Sequence, residues 1–160
     1  MSQKINLRVW LKIPDAEAAT VKNTLVRRMG FGDVLYDVKK ERLFSIEVDS
    51  GDPQELAKGF ARELVNENKE SYKVLIDELR FEEGYVPVWV ALKIEDGEAI
   101  STQERLRGRL GFTSVVNVKR ATIWKLYLSG MDRVAKAREI AEGLLINPHK
   151  DTYEILDSKP

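Results

Sequence analysis

Arg28-Met29-Gly30-Phe31 recurs 81 residues later as Arg109-Leu110-Gly111-Phe112, and this recurrence decides how the rest of the chain is read. Upstream, Leu11-Lys12-Ile13 recurs as Leu92-Lys93-Ile94 at the same spacing. Downstream the spacing shortens by one residue, so that Val38-Lys39-Lys40 faces Val118-Lys119-Arg120 and Phe44 faces Trp124. It returns to 81 where Leu64-Val65-Asn66 matches Leu145-Ile146-Asn147 and Tyr72-Lys73-Val74-Leu75 matches Tyr153-Glu154-Ile155-Leu156. Duplication and fusion of one unit accounts for the pattern. Residues 1–81 make the first repeat, residues 82–87 (Glu82-Glu83-Gly84-Tyr85-Val86-Pro87) a short joint, and residues 88–160 the second repeat.

Each repeat reads as strand, helix, strand, strand, helix, strand. Ile5, Leu7, Val9, Leu11 and Ile13 alternate with Asn6, Arg8 and Lys12, the period-two pattern of a half-buried strand, with Trp10 an exception on the outward face. Pro14-Asp15 ends it and opens a helix whose Ala18, Val21, Leu25 and Met29 fall along one side, a stripe that Leu106 and Leu110 repeat. Gly30 and Gly111 stand where such a helix must stop in a left-handed conformation, with the following Phe folded back on the last turn. Val34–Val48, broken by polar Lys39-Lys40-Glu41, predicts two strands joined by a tight turn. Asp52-Pro53 then opens a second helix by an N-cap followed by proline, with Leu56, Ala57, Phe60, Ala61 and Leu64 on its buried side. Val134, Ala137, Ile140, Ala141, Leu144 and Leu145 play that part in the second repeat, and Asn147-Pro148 stops the helix. Final strands are expected at Tyr72–Phe81 and Thr152–Asp157.

An α+β fold follows: two βαββαβ repeats, each an antiparallel sheet with both helices on one face. A unit this small buries only about 60% of its unfolded surface. Its open sheet face or edge therefore favours pairing with a sibling, and fusion makes the pairing intramolecular, giving a pseudo-dimer.

Twenty-six basic and twenty-six acidic residues cancel, and the first 81 residues already hold 14 of each. The surplus of cations that phosphate binding needs is missing, so nucleic acid is not an expected partner. With no cysteine there are no disulfides, no thiolate nucleophile and no cysteine-based zinc site, which favours a reducing, cytoplasmic setting. The N-terminus lacks the apolar stretch of a secretory signal, and the longest apolar run, Val86–Leu92, falls far short of the roughly 20 residues that span a bilayer. No membrane association is expected.

Nothing in either repeat resembles the apparatus of catalysis. The one histidine, His149, follows Asn147-Pro148 and reads as a solvated loop residue. Tyr36, Asn68 and Asn117 form no catalytic pattern, and Glu82-Glu83 reads as a solvated charge pair in the joint. Met29-Gly30-Phe31-Gly32 follows a helix, whereas a dinucleotide fingerprint must open one. Phe44 and Trp124 stand singly in their strands, without the aromatic run that stacks RNA bases, and read as packing residues. Lys39-Lys40 and Lys119-Arg120 read as solvated turn residues, or as a contact for an acidic protein.

The helix ending in Leu110-Gly111-Phe112, the strand into Val118-Lys119-Arg120, and Ala141-Glu142-Gly143-Leu144-Leu145-Ile146-Asn147-Pro148 followed by Tyr153-Glu154-Ile155 together resemble PurS, the small subunit of phosphoribosylformylglycinamidine synthase. The likeness covers one repeat length twice and so accounts for nearly the whole chain. The first repeat departs from it with Asn66-Glu67-Asn68 in place of the Asn-Pro ending. Both repeats depart after the first strand, where Pro14-Asp15-Ala16-Glu17 and Glu95-Asp96-Gly97-Glu98 replace an Asp-Pro-Gln-Gly-like loop. The resemblance implies a subunit of an ATP- and glutamine-dependent ligase with no catalytic residues of its own. Such a subunit bridges the large synthetase and the glutaminase for ammonia transfer in purine biosynthesis. It implies no bound cofactor or metal, since ATP, Mg and glutamine belong to the partners. Partner contacts are expected at Gly30, Phe31, Gly111, Phe112, Lys119, Arg120, Asn147 and Pro148, each of which also has packing or capping work to do. The rival reading is a regulatory module of the ACT or ferredoxin-like type that binds a small molecule.

Overall fold

A computed structural model of the chain describes residues 2–156. Its elements are β1 (Gln3–Leu11), α1 (Ala16–Arg27), β2 (Leu35–Val48), α2 (Pro53–Leu64), β3 (Glu70–Ile76), β4 (Val86–Leu92), α3 (Gly97–Glu104), β5 (Val115–Leu128), α4 (Arg133–Ile140) and β6 (Asp151–Ile155). Helices α3 and α4 widen at their C-terminal ends into single π-helical turns, Arg105–Arg109 and Ala141–Leu145. The fold is α+β, with four helices and six antiparallel strands in the order β3-β1-β2-β5-β4-β6.

The tight turn expected within each repeat does not form. Lys39-Lys40-Glu41 lies in the middle of β2, and Lys119-Arg120 in the middle of β5, each strand running unbroken for 14 residues. A two-residue hairpin needs residues that accept positive φ, usually Gly, Asn or Asp, and neither stretch has one. The extended backbone instead aims these side chains at partners. Lys40 reaches Asp15 and Glu17, Arg120 reaches Asp96 and Glu98, and Glu41 pairs with Lys125. The predicted strand Tyr72–Phe81 is also shortened. It stops at Ile76 because Asp77 takes a left-handed φ of 58°, which ends the ladder. Asp157, the last residue of the other predicted final strand, lies outside the described residues.

Helix starts are as read. Asp15 caps α1 through the Glu17 and Ala18 amides, Asp96 caps α3 through Glu98 and Ala99, and Asp52 caps α2 ahead of Pro53. Gly30 and Gly111 take φ of 79° and 77°, the left-handed stop that was expected. The cap itself is wider than a Schellman motif, because the Phe31 and Phe112 amides reach six residues back to Leu25 and Leu106.

Two compact units emerge, and neither coincides with a repeat. Unit 1 comprises Met1–Lys12, Arg42–Arg80 and Glu95–Ala121; unit 2 comprises Ile13–Glu41, Phe81–Ile94 and Thr122–Pro160. In unit 1, β1 lies between β3 and the C-terminal part of β2, with Leu7 opposite both Phe44 and Val74. One face of these strands packs Ile5, Leu7, Val9, Phe44, Ile46 and Val48 against Ala57, Phe60 and Ala61 of α2 and Ala99 and Leu106 of α3. In unit 2, β4 lies between β5 and β6, with Val88 opposite both Trp124 and Ile155. Val86, Val88, Val90, Trp124, Leu126 and Leu128 there meet Ala18 and Leu25 of α1 and Ala137, Ile140 and Ala141 of α4. Phe44 and Trp124 are thus core residues, as their isolation in the sequence suggested. The first helix of each repeat serves the unit whose β1 or β4 comes from the other repeat.

The sheet face turned away from the helices was expected to stand open for pairing with the sibling repeat, and in unit 1 two of its polar residues are covered within the unit itself. Asn6 and Arg8 are buried, at 4% and 1% exposure. Asn6 Nδ2 donates to the Glu78 carbonyl at 2.6 Å, Asn6 Oδ1 accepts from Ser45 Oγ at 2.7 Å, and Arg8 Nη1 donates to the Arg80 carbonyl at 3.0 Å. The connection after β3 thus supplies carbonyl acceptors to both side chains, as burial of polar atoms requires. Asp77 anchors its start by accepting from the Lys4 amide at 2.7 Å.

Candidate functional site

The sequence reading places its candidate residues at helix ends, in a turn and in one loop; Gly111, Phe112, Lys119 and Arg120 lie in unit 1, and Gly30, Phe31, Asn147 and Pro148 in unit 2. In unit 1 the widened turn ending at Gly111 directs Phe112 into the core, edge-on to Phe60 with ring centroids 5.1 Å apart. A Cβ on Gly59 would lie 2.8 Å from the Phe112 ring, so this close approach needs the notch that glycine leaves in α2. In unit 2 Phe31 packs against the cluster that Leu144, Leu145 and Ile146 also join. Met29 fills the equivalent niche, its Cε 3.1 Å from where a Cβ on Gly143 would stand. Each Gly-Phe segment is therefore first a joint between two helices.

Lys119 is exposed, whereas Arg120 is committed to the start of α3. Its guanidinium lies 3.2 Å from Asp96 and 2.7 Å from Glu98. Burial alone would raise the Asp96 carboxyl, but the Arg120 hydrogen bond and charge and the Ala99 and Glu98 amides outweigh it and hold the carboxyl below its ordinary value. Lys40 repeats the device in unit 2 at 3.6 Å from Asp15 and 3.2 Å from Glu17. Both cations neutralise an N-cap carboxylate, and of the basic pair in β5 only Lys119 stays open to an acidic partner.

Asn147 and Pro148 form an exposed corner of unit 2. The Asn147 amide donates to Asp151 at 2.9 Å, and Asn147 Oδ1 accepts from the His149 amide at 3.0 Å. Lys93 Nζ donates to the Pro148 carbonyl at 2.6 Å. Unit 1 builds the same corner from a different sequence. Asn66 donates to Glu70, Asn66 Oδ1 accepts from the Asn68 amide, and Lys12 Nζ donates to the Glu67 carbonyl, again at 2.6 Å. The residue after the asparagine supplies only a backbone carbonyl, so replacing Pro by Glu changes nothing in the geometry. Beside these corners stand Ile13 and Ile94, each 67% exposed, with Leu11 at 36% and Leu92 at 40%.

A further cluster in unit 2 escaped the sequence reading. Tyr127 packs against Tyr85 at 5.3 Å and Tyr36 at 5.9 Å, while Lys125 lies 4.8 Å over the Tyr85 ring and Lys39 lies 5.4 Å over that of Tyr127. Lys125 also meets buried Glu41 at 2.9 Å, and the Tyr85 hydroxyl donates to Glu82 at 2.6 Å. Burial, then the carboxylates of Asp37, Glu41 and Glu82, pushes the Tyr127 phenol above its ordinary value. The available signal was Phe81 and Tyr85, aromatic residues four apart that flank Glu82-Glu83, with Phe81 read as the end of a strand and Tyr85 as part of the joint. Among the described residues no three acidic or histidine groups gather as metal ligands, and no helix is long and apolar enough to cross a membrane. Compared with known proteins, the chain matches no family model and no curated protein.

Proposed function

We propose that the chain is an assembly subunit, related to PurS by duplication and fusion, that works as a pseudo-dimer in the cytoplasm. It would bridge the synthetase and glutaminase subunits of phosphoribosylformylglycinamidine synthase, which bind the ATP, Mg and glutamine themselves. The observation that carries the reading is the repeated corner. Lys12 on Glu67 and Lys93 on Pro148 hold two like-built loops at 2.6 Å, each beside a largely exposed isoleucine, Ile13 or Ile94. An exposed Leu-Lys-Ile kept in both halves of a chain that has otherwise diverged supports a contact made twice. A bridging subunit needs rigid, repeated contact points, and both corners are fixed by side-chain-to-backbone bonds rather than left as free loops.

The test is retention of the two subunits from the same cell on the immobilised chain, with glutamine and ADP·Mg present. Both should be held, and the chain carrying Ile13→Asp and Ile94→Asp should lose at least one of them. If neither is held by the unaltered chain, the assembly role is wrong. Tight calorimetric binding of an amino acid or nucleotide, with no subunit retained, would favour the regulatory module instead.

A further inference from the structure

Leu25 and Leu106 are fully buried, and each belongs to a core built mainly by the other half of the chain. Leu25, on α1, joins Val86, Val88, Leu126 and Ile140, all from the second half. Leu106, at the end of α3, joins Ile5, Leu7, Phe44 and Phe60, all from the first. We infer that the chain opens and closes as two cooperative bodies that cut across its halves, so that neither half is a domain and each serves as the other's obligate partner.

The physical reason lies in β2 and β5. A hairpin at Lys39-Lys40-Glu41 would return β2 along itself and let residues 1–81 close their own core. The unbroken strand instead carries the chain from unit 2 into unit 1, and β5 carries it back. Unit 1 lacks α3 and its share of β5 until residue 121 is made, and unit 2 lacks β6 until residue 155. Until then the apolar stripe of α1 has no core to enter. Tethering supplies the missing segments at about millimolar effective concentration or above, which is what lets so reciprocal an arrangement close within one chain. This behaviour holds whatever the protein assembles with.

Native-state hydrogen exchange on the full chain tests it. Leu25→Ala should speed amide exchange in β4, β6 and α4 by roughly thirtyfold or more, the effect of emptying a buried leucine site. It should leave β1, β3 and α2 within about threefold of the unaltered protein. Leu106→Ala should do the reverse. Should the alanine variants fail to fold, Leu25→Val and Leu106→Val must give the same crossed pattern at smaller amplitude. Acceleration confined to the half that carries the substitution, or equal throughout the chain, overturns the inference. In a second measurement, a protease site is inserted between Glu83 and Gly84 of the full chain. The cut protein should elute as one particle with an unchanged circular dichroism spectrum, and release of either fragment overturns it.

Discussion

Beneath its helices unit 1 packs Phe44, Phe60 and Phe112, and unit 2 packs Trp124 and Leu126 in an equally apolar interior. On the other side of the strands the two part company. Unit 1 closes that side with hydrogen bonds from Asn6 and Arg8 to the carbonyls of the connection after β3. Unit 2 closes it with three tyrosines, two lysines over their rings, and the Glu41–Lys125 pair. The helix side admits one solution, dense apolar packing, whereas the far side needs only that every buried polar group find a partner. The two units accordingly differ most where several chemistries satisfy the same requirement.

The largest expected effect tests that contrast directly. Lys125→Met leaves the Glu41 carboxylate buried without its ammonium and should cost about 3 kcal/mol in urea unfolding. Arg8→Met removes a buried guanidinium that donates to the Arg80 carbonyl, and should cost about 1–2 kcal/mol by the same measurement. The helix notches sharpen the contrast next. Gly59→Ala forces a methyl to within 2.8 Å of the Phe112 ring. It should destabilise by about 1–3 kcal/mol, even though alanine is the better helix former. Gly143→Ala meets only the flexible end of Met29 and should be close to neutral by the same measurement.

Much of the helix side was legible because apolar periodicity and Asx caps are local signals. Ala18, Leu25, Phe60 and Ile140 lie where the spacing put them, and Asp15 and Asp52 cap as read. The turn at Lys39-Lys40-Glu41 was misread because a polar break in an apolar run looks the same whether it marks a loop or the middle of a strand with ionic partners. Only the absence of a turn-forming residue distinguished them. Asn6 and Arg8 looked solvated because period two reports which face a residue is on, and not what lies over that face. The Tyr36–Tyr85–Tyr127 cluster joins residues up to 91 positions apart, beyond the reach of any local pattern. Of the candidate site, the Gly-Phe ends and the Asn147 corner were found by repetition, while the binding of Arg120 to Asp96 needed the register of an unbroken strand.

A smaller effect separates capping from ion pairing. Asp96→Ala should cost about 1 kcal/mol through loss of the α3 cap. Arg120→Met should cost less at neutral pH, about 0.5 kcal/mol, because the pair is partly solvated. A neutral cap carries no pH dependence of its own, whereas a carboxylate cap does. The folded Asp96 carboxyl lies below its ordinary 3.8, so its contribution is present above that value and is lost as pH falls through the folded one. Asp96→Asn should therefore flatten the acid limb of a stability profile while keeping most of the cap. An unchanged acid limb would mean that Arg120 does not govern this carboxyl.

The smallest effect concerns Tyr127 and lies at the alkaline end. Its phenol is raised above 10.0 by burial and by the surrounding carboxylates, so the folded protein holds the proton more tightly than the unfolded chain. The resulting stability is fully present below about pH 10 and is lost as pH rises through the folded value. Of the five tyrosines, Tyr153 is also raised, by its hydrogen bond to Glu142, so ultraviolet titration should show two late-ionising groups, of which Tyr127→Phe removes one with little change in stability at neutral pH. In unit 1, Glu47 stands where the repeat spacing would place a counterpart of Tyr127, so the far side of that unit has no tyrosine at the matching place. If Tyr127→Phe leaves the amplitude of the late-ionising fraction unchanged, the tyrosine–lysine closure of unit 2 is looser than its ring distances imply, and the two far sides would differ in composition without differing in how firmly they are closed.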